Sequence, residues 1–229
     1  MSLVLIVAAL LPVIGTEDAA TFLRQFAERR QEIRTLTAPF KQLTITPEEQ
    51  LESKGVIAFR KPRRLAFRYE DPGQVFLLDN LTVYDYDPEL KQCQMFELED
   101  DPQTAALFLG FEDDPARLLE AYNVVVDDPS EGMRAIELTP KNENDDEKYF
   151  EKIILRIDEK DMLPREIQIV NDAESEVLIT IGEYRINGRL AVEQTRLDLP
   201  EGTDILMNDD FVETVGPRGK RLPEGPAEE

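Results

Sequence analysis

A mainly β fold with some α, one strongly curved antiparallel sheet under a long helix, is predicted by three observations. First, residues 55–96 carry a turn signal about every ten residues, the spacing of a β-meander. Second, a further series of strand-like runs fills residues 123–199, giving about a dozen strands, and a flat open sheet of that width would be unusual without curling. Third, a single long stretch, residues 16–36, has helical periodicity and can cover an apolar sheet face.

Taken in order, residues 3–14 form an uncharged run broken by Pro12. It is too short to span a bilayer, so residues 1–15 read as an export signal peptide with small or modest residues at Val13-Ile14-Gly15; a buried first strand or helix is the alternative. Ala19, Phe22, Leu23, Phe26, Arg30 and Ile33 then fall on one helical stripe, with Thr16 or Asp18 as cap. Pro39 ends the helical option, and residues 38–46 alternate as a first strand through Phe40, Gln42 and Thr44. The meander follows as VIAFR, RLAFRY, QVFLL, LTVYDY and KQCQMF. Its breaks at Lys61-Pro62-Arg63, Asp71-Pro72-Gly73, Asp79-Asn80 and Asp87-Pro88 each have a turn mechanism: Pro presets φ, Gly and Asn accept positive φ, and Asp bonds its own backbone. Alternation puts Ile57, Phe59 and Lys61 on one face, and Leu65, Phe67 and Tyr69 likewise.

Beyond the meander, Asp101-Pro102 and Asp114-Pro115 punctuate two short helices, over 103–109 and 116–122. The first is apolar nearly all round and must be sandwiched or set into a cavity mouth. Strands are expected over 123–126, 134–139, 149–157, 163–170, 176–186 and 191–199, with Asn187-Gly188 as a hairpin turn. Residues 207–229, Gly-, Pro- and charge-rich at their end, read as a solvated tail, leaving 16–206 as one domain.

The formal charge is −22, from 48 acidic and 26 basic residues, which argues against nucleic acid or anionic lipid as a partner of the general surface. Arg60, Lys61, Arg63, Arg64 and Arg68 nevertheless cluster within nine positions. With no His in the chain, Ser-His and Cys-His chemistry is impossible on this chain alone. The single cysteine, Cys93, sits within a strand pattern and reads as a small packing residue. Neither a phosphate-cradling Gly-rich loop nor a nucleophile elbow is present, and the acidic run over 142–147 lacks the Gly and terminal Glu of a calcium loop. No enzyme, cofactor or metal site is expected.

Phe40-Lys41-Gln42, Gly55, the run from Phe59 through Lys61-Pro62-Arg63-Arg64 to Tyr69, Pro72, Asp79-Asn80, Tyr86-Asp87-Pro88 and Gln92 together resemble the LolA-type outer-membrane lipoprotein carrier family, over roughly residues 19–206. The resemblance implies an incomplete antiparallel β half-barrel of about 11 strands, covered by the long helix and short lid helices. It also implies an exported, monomeric periplasmic carrier that takes lipoprotein acyl chains from an inner-membrane ATP-driven exporter to an outer-membrane receptor. On that reading Ile57, Phe59, Leu65, Phe67, Tyr69, Tyr84 and Phe96 line the acyl-chain cavity, and Leu107, Phe108 and Phe111 form a lid. Lys61 is the latch, where better-known members carry Arg, and Arg63 and Arg64 dock partners. The residue readings alone leave ordinary core as the default for each wall position, and a lipid-sensing regulatory domain on the same scaffold is the alternative function.

Overall fold

The computed structural model describes residues 16–100, 119–141 and 150–223, with side chains from residue 20 onward. Helix α1 (Thr16–Glu32) is followed by β1 (Thr35–Ile45) and β2 (Gln50–Arg60). The meander continues as β3 (Arg64–Tyr69), β4 (Val75–Asp79), β5 (Thr82–Asp87) and β6 (Gln92–Glu97). Next come β7 (Tyr122–Val126), β8 (Met133–Pro140), β9 (Lys152–Asp158), β10 (Leu163–Val170) and β11 (Glu176–Ile181). The C-terminal part holds β12 (Arg185–Ile186), a 3-10 turn (Val192–Thr195), β13 (Leu197–Leu199), β14 (Asp204–Met207), β15 (Asp210–Thr214) and β16 (Lys220–Leu222).

The main sheet runs β15-β14-β6-β5-β4-β3-β2-β1-β11-β10-β9-β8-β7, with β12 on the flank of β1. It is not closed into a barrel: β15 and β7 each have one strand neighbour. Only β14 with β6 is parallel; the other pairs are antiparallel. Alternation turns one face into an apolar floor, as in the row Ile179, Ile167, Leu155, Ile136, Val126 of directly opposed residues. On this floor α1 lays Phe22, Phe26 and Arg30, and Ile33 follows just past its end, each 2–3% exposed.

The centre of the floor is aromatic. Phe40 meets Phe67 and Tyr69 edge-on, each with centroids 5.3 Å apart, a geometry worth about 0.5–1.5 kcal/mol per pair beyond area burial. Gly55 makes room for it. A Cβ there would lie 2.9 Å from the Phe40 ring and 2.0 Å from the Arg68 carbonyl oxygen, so the close approach of β2 to β3 requires glycine. Asn80 takes the left-handed conformation expected of its turn, with φ 53°.

Several expectations are corrected. The helix ends at Glu32 instead of residue 36, because Asn187 terminates it from across the chain. The Asn187 carboxamide oxygen accepts from the N–H of Arg34 (2.7 Å) and Thr35 (3.4 Å), and its amide donates to the Glu32 carbonyl (2.9 Å). Asn187-Gly188 is therefore not a hairpin turn; β12 pairs with β1, and residues 189–191 run on without strand structure. Pro39 sits inside β1, where pairing passes from β12 to β11 and no partner needs its missing N–H.

The largest departure is at the C-terminus, expected to be a tail from residue 207. There β14 extends the main sheet, β15 pairs with β14, and β16 pairs with β13. Val215 and Leu222, each 3% exposed, complete a second core with Leu197, Leu199, Ile205, Ala66, Val75, Leu77, Tyr84 and Cys93. The back of the meander is thus covered by the chain's own end. These short elements raise the strand count to sixteen among the described residues. Of the expected short helices, 103–109 lies outside the described residues; residues 119–121 are helical and Tyr122 already opens β7.

Candidate functional site: an apolar hollow beneath the long helix

At the open β7 end of the sheet, α1 does not settle fully onto the floor. A hollow of ≈390 Å³ lies there, lined by Ala20, Leu23, Arg24, Phe26 and Ala27 of α1, by Leu119, and by Val124, Ile136, Leu138 and Leu155 of β7–β9. The helix residues recur at the three- and four-residue spacing of one face. The strand residues share a face because Leu138 opposes Val124 and Ile136 opposes Leu155. Small Ala20 and Ala27 are what leave the space open.

Two buried arginines seat the helix on either side. Arg134 stacks its guanidinium 4.9 Å from the Phe22 ring centroid and approaches Glu159 at 3.4 Å. Arg30 lies 4.9 Å from the Phe26 centroid and donates to the Met162 carbonyl at 2.6 Å. Cation–π contacts of this kind are worth about 0.5–2 kcal/mol, so α1 is anchored at fixed points while the wall between them stays unfilled.

The seven predicted wall residues lie elsewhere. Ile57, Phe59, Leu65 and Phe67 are 0–4% exposed in the packed interior beneath the meander, with Tyr69 and Phe96 partly buried against the same core. The Tyr69 hydroxyl donates to Gln42 Oε1 at 2.9 Å, and burial pushes its pKa up to about 12 despite that bond. Tyr84 is on the opposite face. The register sets Val83 against Phe96 and Tyr84 against Met95, so Tyr84 joins the second core, and its assignment to the same wall as Phe96 is corrected. No meander residue lines the hollow among the described residues.

The basic cluster is also redistributed. Lys61 Nζ donates to the Gln31 carbonyl at 2.9 Å, in the last turn of α1, where a cation suits the helix dipole. It thus ties the first meander turn to the long helix. Arg63 is 3.8 Å from Asp100 with its side chain 17% exposed. Arg64 holds the cross-strand Asp79 through two bonds of 2.8 and 3.0 Å, and Asp79 is nearly buried, so the guanidinium is engaged within the sheet. Arg60 donates to the Leu190 carbonyl at 3.0 Å, and Arg68 to the carbonyls of Gln194 and Arg196. Burial lowers the Arg68 pKa, with Asp198 opposing the shift. Two residues of the run, Arg60 and Arg68, thus hold the segment over residues 190–196. Leu107, Phe108 and Phe111 lie outside the described residues.

Sequence reasoning missed the hollow's lining. Leu23 and Phe26 stand in the predicted helical stripe, and the apolar rows of β8 and β9 are legible as alternation. That Ala20 and Ala27 would leave a gap above those rows is a property of how the helix is seated. Cys93, by contrast, is as expected, a free buried cysteine whose thiol is pushed up to about 12 by burial and by Asp85.

The family described as outer membrane lipoprotein carrier protein LolA matches residues 31–194. The chain belongs to the LolA family. An outer-membrane lipoprotein carrier protein of Azotobacter vinelandii is 27% identical over 202 residues, which cover 86% of this chain and 92% of that protein. One from Halorhodospira halophila is 27% identical over 208 residues, 88% of this chain and 92% of that one. The crystal structure of a LolA superfamily protein from Nitrosomonas europaea aligns over 73% of this chain and 94% of its own, at 12% identity and a TM-score of 0.39. The LolA match ends at residue 194, short of β13–β16, the segment that closes the back of the meander.

Proposed function

We propose that this protein is a periplasmic lipoprotein carrier that holds acyl chains in the hollow between α1 and β7–β9. The observation that carries the reading is that hollow itself: among the described residues, nine of the ten that line it are apolar, in a chain of a family described as lipoprotein carriers. A water-sized unit takes about 30 Å³ of liquid volume and a methylene is of similar bulk, so ≈390 Å³ accepts roughly a dozen methylenes. At about 0.8 kcal/mol each, a dozen methylenes contribute on the order of 10 kcal/mol before ordering costs, enough to extract a chain from water and still to release it.

In this reading the protein is exported, takes lipoprotein from an inner-membrane ATP-driven exporter and delivers it to an outer-membrane receptor. Lys61 governs how firmly the end of α1 is held, and Leu107, Phe108 and Phe111 serve as a lid. The strong negative charge keeps the carrier off anionic membrane surfaces between encounters. The test is release: inner-membrane vesicles bearing lipoprotein and the exporter are mixed with the purified protein and ATP, and the soluble fraction is probed. Soluble lipoprotein in complex with the protein is expected. Binding without onward delivery to outer membranes would favour the sensing role, and no soluble lipoprotein would refute the carrier.

A further inference from the structure

We infer that β7 binds the polypeptide of the cargo: the stretch that follows the acylated cysteine of a lipoprotein adds to the free edge of β7 as an extended strand, while the acyl chain lies in the hollow beside it. This rests on the reading of the hollow as an acyl-chain site and gives that site a second, peptide-binding part.

The β7–β8 register decides which backbone groups face outward. Opposed residues of an antiparallel pair alternate between exchanging hydrogen bonds and exchanging none. The Lys141 N–H donates to the Ala121 carbonyl and the Asp127 N–H to the Ala135 carbonyl, so the bonded positions are Ala121, Asn123, Val125 and Asp127. Pro140, which has no N–H to give, stands opposite Tyr122 at an unbonded position. The N–H and C=O groups of Val124 and Val126 therefore point away from β8, and among the described residues β8 is the one strand beside β7. An extended peptide would meet two donors and two acceptors there.

Composition separates this edge from the other. β15 carries Asp210 and Glu213, exposed charges of the kind that keep a sheet edge from pairing. β7 reads Tyr-Asn-Val-Val-Val, without charge, Pro or Gly, and Val125 is 54% exposed on the face away from the hollow. Such an unprotected edge suits strand addition. Its position names the occupant. Val124 lines the hollow with its side chain and stands on the free edge with its backbone, so an acyl chain in the hollow brings the peptide attached to it within reach of β7. Main-chain pairing reads no side chain, so one edge serves lipoproteins of unlike sequence.

The experiment uses the purified full chain and two probes, a synthetic triacylated cysteine bearing a short uncharged peptide and the same triacylated cysteine capped as its amide. The peptide should tighten binding about tenfold over the amide. N-methylating alternate peptide residues in one phase should abolish that gain, and in the other phase should leave it within about twofold, because a strand turns only every second N–H towards its neighbour. Val126→Pro removes one outward N–H and leaves the β8 ladder whole; it should cut the gain about threefold while the amide binds within about twofold of wild type. Equal binding of lipopeptide and amide by the wild-type protein, or equal behaviour of the two N-methylated peptides, overturns the inference and leaves the hollow in place. If the amide does not bind, the reading of the hollow falls and this inference with it.

Discussion

Replacing Ala27 by Phe separates a hollow that takes ligand from one that is simply under-packed. Ala27 lines the space from α1, and the strand wall opposite is Val124, Ile136, Leu138 and Leu155. The added ring brings six carbons, and at about 30 Å³ per methylene-sized unit it removes on the order of 150 Å³ of the ≈390 Å³. Room for about five methylenes is lost, some 4 kcal/mol of transfer free energy at 0.8 kcal/mol each. Acyl-chain affinity should therefore fall by two to three orders of magnitude. Stability should move the other way. Filling an apolar gap typically adds about 0.5–2 kcal/mol, less roughly 0.5 kcal/mol for the poorer helix propensity of Phe. A gain near 1 kcal/mol raises Tm by roughly 2–4 °C in a chain of this size. Fluorescent fatty-acid displacement and scanning calorimetry on the same preparations read both effects. Undiminished affinity in a protein with raised Tm would place the ligand elsewhere and refute the reasoning.

Three further outcomes are expected. Gly55→Ala forces a Cβ against the Arg68 carbonyl at 2.0 Å and should destabilise by about 3 kcal/mol in urea melts; adding Phe40→Leu should not rescue it, because the closer clash is with backbone. Lys61→Leu removes the bond to the Gln31 carbonyl, so amide hydrogen exchange in the last turn of α1 should quicken about threefold to fivefold and lipoprotein transfer should change; unaltered exchange and transfer would remove the latch. Tyr69, with its folded pKa raised from 10.0 to about 12, contributes stability that is intact below pH 10 and is lost as pH rises towards 12, since the unfolded chain ionises first; Tyr69→Phe should flatten that part of an alkaline denaturation profile.

How much was legible in the sequence divides along the range of the forces involved. The meander turns were readable because Pro62, Pro72, Asn80 and Pro88 act locally, and the register pairing Ile57 with Phe67 and Phe59 with Leu65 follows from alternation either side of one turn. The stripe on α1 was readable for the same reason. Its end was not, because the residue that caps it, Asn187, is more than 150 positions away. The C-terminal strands are three to five residues long and bury one or two side chains each, none in β15; Leu197, Leu199, Ile205 and Leu222 carry a signal that makes sense only against the back of the meander. Tyr84 was misplaced by one position of strand parity. The pairing of Arg64 with Asp79 is not legible in the sequence, because it lies across the sheet between neighbouring strands. The family was legible from motifs; the place of the hollow was not, since it depends on what is absent between a helix and a sheet.

A lipoprotein acylated with a fatty acid that carries a photoactivatable diazirine at its chain end, loaded and irradiated, then mapped by peptide mass spectrometry, tests the account most directly. Labelling of Leu23, Ala27, Ile136, Leu138 and Leu155 is predicted, with loss of that labelling in Ala27→Phe. Labelling confined to the back of the meander, around Ala66, Tyr84 and Leu197, would contradict it.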